Sequence, residues 1–169
     1  MSNIKASSVR ETESAPPLYQ IYIKKEKSWV KSRIKHTVSL IDIGCGEGRA
    51  TSFLSKLTDK YFGVDLDSKA IYKAKKLENG KIKFEIMDVT KLSNYFPSNS
   101  FETSVCLWNT IGNIEYDKKA IKEMYNITSK KCFITGLKRG NLKSRINYYK
   151  SYNIKYKLDL KKEIFYSKA

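Results

Sequence analysis

The run Asp42-Ile-Gly44-Cys45-Gly46-Glu-Gly48 sets an acid two residues ahead of three glycines at alternate positions. Such glycines let the backbone turn tightly and approach a ligand with no side chain in the way. The spacing differs from the G-x-G-x-x-G that cradles a dinucleotide pyrophosphate, and an acid at position 42 repels phosphate. A cation, ammonium or sulfonium, suits that position better, met directly or through water. Asp65 follows Gly48 by 17 residues and ends a second apolar run, where a carboxylate can accept both hydroxyls of a ribose. Asp88 ends a third run, with Val89 next to it, and is placed to accept from an adenine amino group. Together these residues offer recognition of a nucleoside that also carries positive charge.

Positioning three acids in one crevice requires three parallel strands, and the sequence supplies them. Val38–Ile43, Tyr61–Asp65 and Ile82–Met87 are short apolar runs of the buried-strand kind, followed by Phe101–Trp108 and Cys132–Thr135. Between them, residues 47–57, 68–77 and 117–129 read as helices, the second with Ser68 as its cap. Residues 18–35 read as a leading amphipathic helix. Residues 1–17 are polar, end in Pro16-Pro17 and read as a flexible arm, leaving 18–169 as one domain. Near the end, Ile154, Tyr156, Leu158 and Leu160 alternate with Lys155, Lys157 and Asp159, the period of a strand. Residues 163–167 are its expected hairpin partner. Strands alternating with helices imply a doubly wound α/β sheet.

The chain has 169 residues, 41% hydrophobic and 30% charged, which fits one globular domain. No apolar run reaches the roughly 20 residues of a membrane span, and the polar N-terminus gives no export signal, so a cytoplasmic setting is expected. Cys45, Cys106 and Cys132 are odd in number and lack zinc-ligand spacing, so no metal is expected. The net charge is +16, of which residues 1–36 hold +5, residues 37–137 hold +3 and residues 138–169 hold +8. That excess keeps nucleic acid open as a partner. Only five of the 33 cations are arginine, the residue that forks onto phosphate, and solvated lysine faces explain the rest.

With these motifs in order, the chain resembles the class I S-adenosylmethionine-dependent methyltransferases. Leu40–Gly48 is similar to that family's first motif, Gly63-Val-Asp65 to its ribose-binding strand and Met87-Asp88-Val89 to its adenine motif. Phe101–Asn109 is similar to the fourth strand, whose end faces the transferred methyl group. The resemblance covers residues 38–137. It implies a mostly parallel sheet of seven strands with an antiparallel C-terminal hairpin, S-adenosylmethionine as donor and S-adenosylhomocysteine as product. It further implies cofactor contacts from Asp42, Gly44, Cys45, Gly46 and Gly48, from Asp65 and Leu66, and from Asp88, Val89 and Leu107. Tyr19 and Tyr22 would belong to a lid from the leading helix.

Residues just past the fourth strand narrow the acceptor. Trp108-Asn-Thr-Ile-Gly-Asn-Ile114 lacks the proline-aromatic run of base-amino methylators. Cys106 falls inside the strand, where a buried thiol is the ordinary state. The segment resembles small-molecule N- or O-methyltransferases of the glycine-methylating kind, with Asn109 as the residue that orients an acceptor. The one histidine, His36, precedes the first strand and is read as a surface residue. The competing expectation is an RNA or ribosome-associated methyltransferase using its basic termini. A third is a non-catalytic module with a vestigial site.

Overall fold

The computed structural model describes residues 17–136, 140, 142–151, 156–160 and 164–167. The expected arm at 1–17 lies outside these except for Pro17. Helix α1 spans Pro17–Arg33, and strand β1 follows at Thr37–Ile43. Then come α2 (Thr51–Leu54), β2 (Thr58–Asp65), α3 (Ser68–Ala74), β3 (Ile82–Ile86) and β4 (Phe101–Cys106). Helix α4 (Asp117–Ile127), β5 (Thr128–Ile134), α5 (Leu142–Ser151), β6 (Tyr156–Asp159) and β7 (Ile164–Ser167) complete the order.

The main sheet runs β3-β2-β1-β4-β5, and each neighbouring pair is parallel. Because successive side chains on a strand point to opposite faces, β1 feeds two cores. Leu40 joins Val30 of α1, Ile34 just after that helix, Phe53 of α2 and Ile71 of α3 on one face. Ile41 and Ile43 join Val64, Leu92 and the α4 residues Met124 and Ile127 on the other. Helical cover on both faces explains why β1 reads as a nearly unbroken apolar run.

The expected seven-stranded sheet with an antiparallel hairpin is corrected to five strands, all parallel. β6 and β7 pair only with each other, Tyr156 opposite Ser167, in a separate two-stranded sheet. The sequence reading also has no element where α5 stands, because Leu142–Ser151 lacks a clean apolar stripe. Further, α2 starts four residues later than the pattern suggests, since the glycine turn continues to Ala50. α3 is capped by Asp67, whose side chain accepts from the Lys69 backbone N–H at 3.0 Å, with Ser68 already inside the helix. Among the described residues, no helix is long and apolar enough to cross a membrane.

Candidate active site

Strand order reverses between β1 and β4, and ligands of open α/β sheets bind at the carboxyl ends of strands flanking such a point. A cavity of about 840 Å³ opens there, within the usual range of small-molecule sites. Gly44, Cys45 and Gly46 line it from the β1 turn, Asp65 and Leu66 from β2, and Asp88 and Val89 from β3. Of the residues anticipated from sequence, these seven come together in one wall.

The glycines are there for stereochemical reasons. Gly44, Gly46 and Gly48 have φ of +70°, +57° and +84°, values that cost residues with a Cβ about 1–2 kcal/mol. A Cβ at Gly44 would also lie 2.2 Å from Thr110 Cγ2, across the cleft floor. The turn is tied to β2 by the Gly46 N–H, which donates to Asp65 Oδ2 at 2.8 Å. The Asp67 N–H donates to Asp65 Oδ1 at 2.9 Å. Each oxygen of Asp65 thus keeps a second lone pair for a ligand hydroxyl. Asp88 Oδ1 accepts from the Thr90 N–H and hydroxyl. Those bonds hold its carboxyl below the usual carboxylate range and leave Oδ2 beside Lys91 at 3.6 Å.

Asp42 behaves differently from Asp65 and Asp88. It is buried beneath the glycine turn and is not part of the cavity lining. Tyr61 donates its hydroxyl to Asp42 Oδ2 at 2.8 Å and accepts from Thr51 Oγ1 at 3.0 Å. Burial pushes the Asp42 carboxyl up to about 7, against the lowering effects of the Tyr61 hydrogen bond and the Arg49 charge. Gly48 and Leu107 likewise lie behind the wall. Leu107 is buried in the core, and a Cβ on Gly48 would strike Leu77 at 2.8 Å.

The far wall is Trp108, Thr110, Ile114 and Tyr116, with Arg49 and Lys119 beside them. Trp108 and Asn109 are consecutive left-handed residues, φ +62° and +58°, a conformation costing on the order of 1–3 kcal/mol at each. The Arg49 guanidinium lies over the Trp108 indole at 4.0 Å, and the Tyr22 ring meets it from α1 at 5.5 Å. Tyr22 therefore reaches the cleft through Trp108. The Tyr19 side chain lies outside the described residues. The Asn109 amide packs onto Gly112, whose added Cβ would fall 2.8 Å from it, so Asn109 lies next to the lining without joining it.

Sequence reasoning missed Arg49, Tyr61, Thr110 and the buried Glu26. Glu26 carried a readable signal, because it stands on the buried α1 stripe with Ile23 and Val30, where a carboxylate needs partners. His36 is exposed and pairs with Asp59 at 3.1 Å, away from the cleft. Cys106 is fully buried, and burial pushes its thiol up to about 12. Among the described residues, no group of three or more His, Cys, Asp or Glu is placed to hold a metal.

The methyltransferase domain family matches residues 40–131, the span that holds most of β1 to β5 and the whole carboxyl-end wall. The chain belongs to that family. Its fold is that of the class I, S-adenosylmethionine-dependent methyltransferases, as solved structures show. The PH0226 protein of Pyrococcus horikoshii superposes with a TM-score of 0.69 at 20% identity, over 92% of this chain and 75% of its own. A candidate S-adenosyl-L-methionine-dependent methyltransferase of Methanococcus maripaludis gives 0.61 at 19%, over 93% and 86%. CalS10, an amino pentose methyltransferase of Micromonospora echinaspora solved with S-adenosylmethionine bound, gives 0.54 at 16%, over 68% and 52%. The chain spans about half the length of several of the solved structures on which it superposes. No curated protein sequence matches it.

The cleft fits the family's cofactor on its own chemistry. Gly44 and Gly46 bring backbone without side chains to the lining, Asp65 keeps lone pairs for two hydroxyls, and Asp88 presents a second carboxylate beside the apolar Val89 and Leu66.

Proposed function

We propose that this protein transfers a methyl group from S-adenosylmethionine to a nitrogen or oxygen atom of a small molecule, with S-adenosylhomocysteine as product. The observation that carries the acceptor class is the make-up of the cleft: its far wall is apolar, from Trp108, Ile114 and Tyr116, and its lining as a whole is not basic. Five acids line it (Glu47, Asp65, Asp67, Asp88 and Glu115) against three cations (Arg49, Lys91 and Lys119). The chain as a whole is strongly basic. A polyanion footprint would require the opposite sign at the reacting end. Basic side chains instead gather at a second hollow on the amino-terminal side of the sheet, with Arg33, Lys35, Lys130 and Lys131 around it.

In this reading the Gly44–Gly46 turn, Asp65 and Leu66, and Asp88 and Val89 hold the cofactor. Asp42 lies behind them as a buried acid under the turn. The cofactor supplies a methyl group already activated on a sulfonium. The protein's part is then to hold donor and acceptor in line and to exclude water. Trp108, Ile114 and Tyr116 give the acceptor an apolar wall, and Arg49 and Lys119 offer it charge. A neutral amine needs no strong base in the step. An Asn109 role in orienting the acceptor requires its amide to turn from Gly112. The same reading takes residues 18–169 as one domain with the cytoplasm as its setting, in keeping with three free cysteines.

The test is label transfer. Purified protein and methyl-labelled S-adenosylmethionine are incubated with cell extract, and the products are split by size. Label in a low-molecular-weight product that separates from S-adenosylmethionine itself is the expected result. Label in the retained fraction that RNase releases would overturn the acceptor class, and label found only in S-adenosylmethionine would overturn methyl transfer.

A further inference from the structure

Trp108 of the far wall and Asn109 behind it make a turn that is left-handed at two successive non-glycine residues. Such a conformation persists only where its surroundings hold it, and here the hold comes from a buried carboxylate. Glu26, 8% exposed, projects from α1 beneath this turn. Its Oε1 accepts the Trp108 backbone N–H at 2.7 Å, the Tyr22 hydroxyl at 3.3 Å and the Thr135 hydroxyl. The Trp108 N–H is shared with Thr135 Oγ1 at 3.0 Å. Thr135 itself is fixed, since its N–H donates to the Cys106 carbonyl at 3.0 Å. One carboxylate oxygen thereby gathers donors from α1, from the turn two residues past β4 and from the residue just after β5.

We propose that Glu26 is a positioning residue, holding the Trp108–Asn109 turn in its left-handed form and so setting the cleft wall that both cofactor and acceptor meet. A carboxylate meets this need better than a neutral group, because a single charged oxygen takes several short hydrogen bonds at once. Burial, and next the Glu26 carboxylate, hold the Tyr22 phenol above its ordinary value, so Tyr22 remains a donor. With the turn held, the Trp108 indole has one face against Arg49 and an edge toward Tyr22. Lys24, Lys25 and Lys27 flank Glu26 in sequence, yet its oxygen bonds the wall residues and Tyr22. The clasp is a property of the chain alone. Its effect on ligand affinity rests on the methyltransferase reading.

The experiment uses the full chain carrying Trp29→Phe, which leaves Trp108 as its only tryptophan. Acrylamide quenching of Trp108 is read without ligand, and S-adenosylhomocysteine affinity is read by calorimetry. Glu26→Ala is expected to raise the quenching constant about twofold or more and to weaken affinity about tenfold. Glu26→Gln, which keeps an acceptor oxygen, should restore most of both. Quenching and affinity within experimental error of the parent in Glu26→Ala would overturn the proposal. If Glu26→Ala does not fold, Thr135→Val is read instead: it removes the second oxygen facing the Trp108 N–H and should move quenching in the same direction. Unchanged quenching there would overturn the clasp. A parent that binds no S-adenosylhomocysteine would overturn the methyltransferase reading and leave the ligand-free quenching test standing.

Discussion

Gly46 donates its backbone N–H to Asp65 Oδ2 at 2.8 Å, across 19 residues of sequence. The bond makes the turn after β1 and the acid ending β2 one rigid unit, so two sequence motifs become one wall of the cleft. Its placement at the strand-order reversal is what lets Asp88 and Trp108 face the same space.

Closeness of the glycine turn to the opposite wall gives a sharp prediction. Gly44→Ala should weaken S-adenosylhomocysteine binding at least tenfold, since the new Cβ would meet Thr110 Cγ2 at 2.2 Å. Adding Thr110→Ser removes that methyl and should recover part of the loss. The remainder, about 1–2 kcal/mol, is the cost of a positive φ with a side chain. Calorimetry on the two single variants and the double variant checks this, and an absence of coupling between the sites would contradict the packing.

Asp42 gives a pH dependence of defined sign. Its native carboxyl is pushed up to about 7 by burial, above the ordinary 3.8. Between those values the native state binds a proton that the unfolded chain does not. Native stability from this group therefore falls as pH rises from about 4 to 7. The melting temperature of Asp42→Asn should improve relative to the parent between pH 5 and pH 8. Parallel melting profiles for the two proteins would refute it.

Phe84 is fully buried and packs edge-on to Tyr61 at 5.6 Å, beneath Gly63. Phe84→Ala should cost about 3–5 kcal/mol of stability, measured by urea unfolding. A loss under about 1 kcal/mol would mean that this side of the sheet is not packed as described.

Asn109 is tested by turnover once an acceptor is in hand. Asn109→Ala should lower kcat if its amide turns toward the acceptor. It should leave kcat unchanged if the amide stays on Gly112, and the residue would then act only through its backbone turn.

Much of this is legible in the residues. The alternation of apolar runs with helical spacing reveals β1 to β5, because parallel strands buried on both faces have little freedom in composition. Gly44 and Gly46 are legible because a turn with positive φ restricts those positions to few residue types, and Asp65 and Asp88 because they follow or end apolar strand runs that converge on one cleft. The seven-stranded sheet rests on a resemblance, and β6 and β7 pair only with each other. The wall beyond β4 is opaque for another reason. Glu26 and Thr135 lie 109 residues apart, and Arg49 reaches Trp108 by a cation–aromatic contact. Neither contact leaves a spacing signature. The motif alone points Asp42 at the ligand, whereas Tyr61, a partner 19 residues away, turns its carboxyl into the core.

In the proposed function this cleft holds S-adenosylmethionine through Asp65. Isothermal calorimetry of S-adenosylmethionine against the parent and Asp65→Ala tests it most directly. Binding by the parent is expected, weakened by about 1.5–3 kcal/mol, roughly ten- to a hundredfold, in the variant. Binding of equal strength in both proteins, or none in the parent, would contradict it.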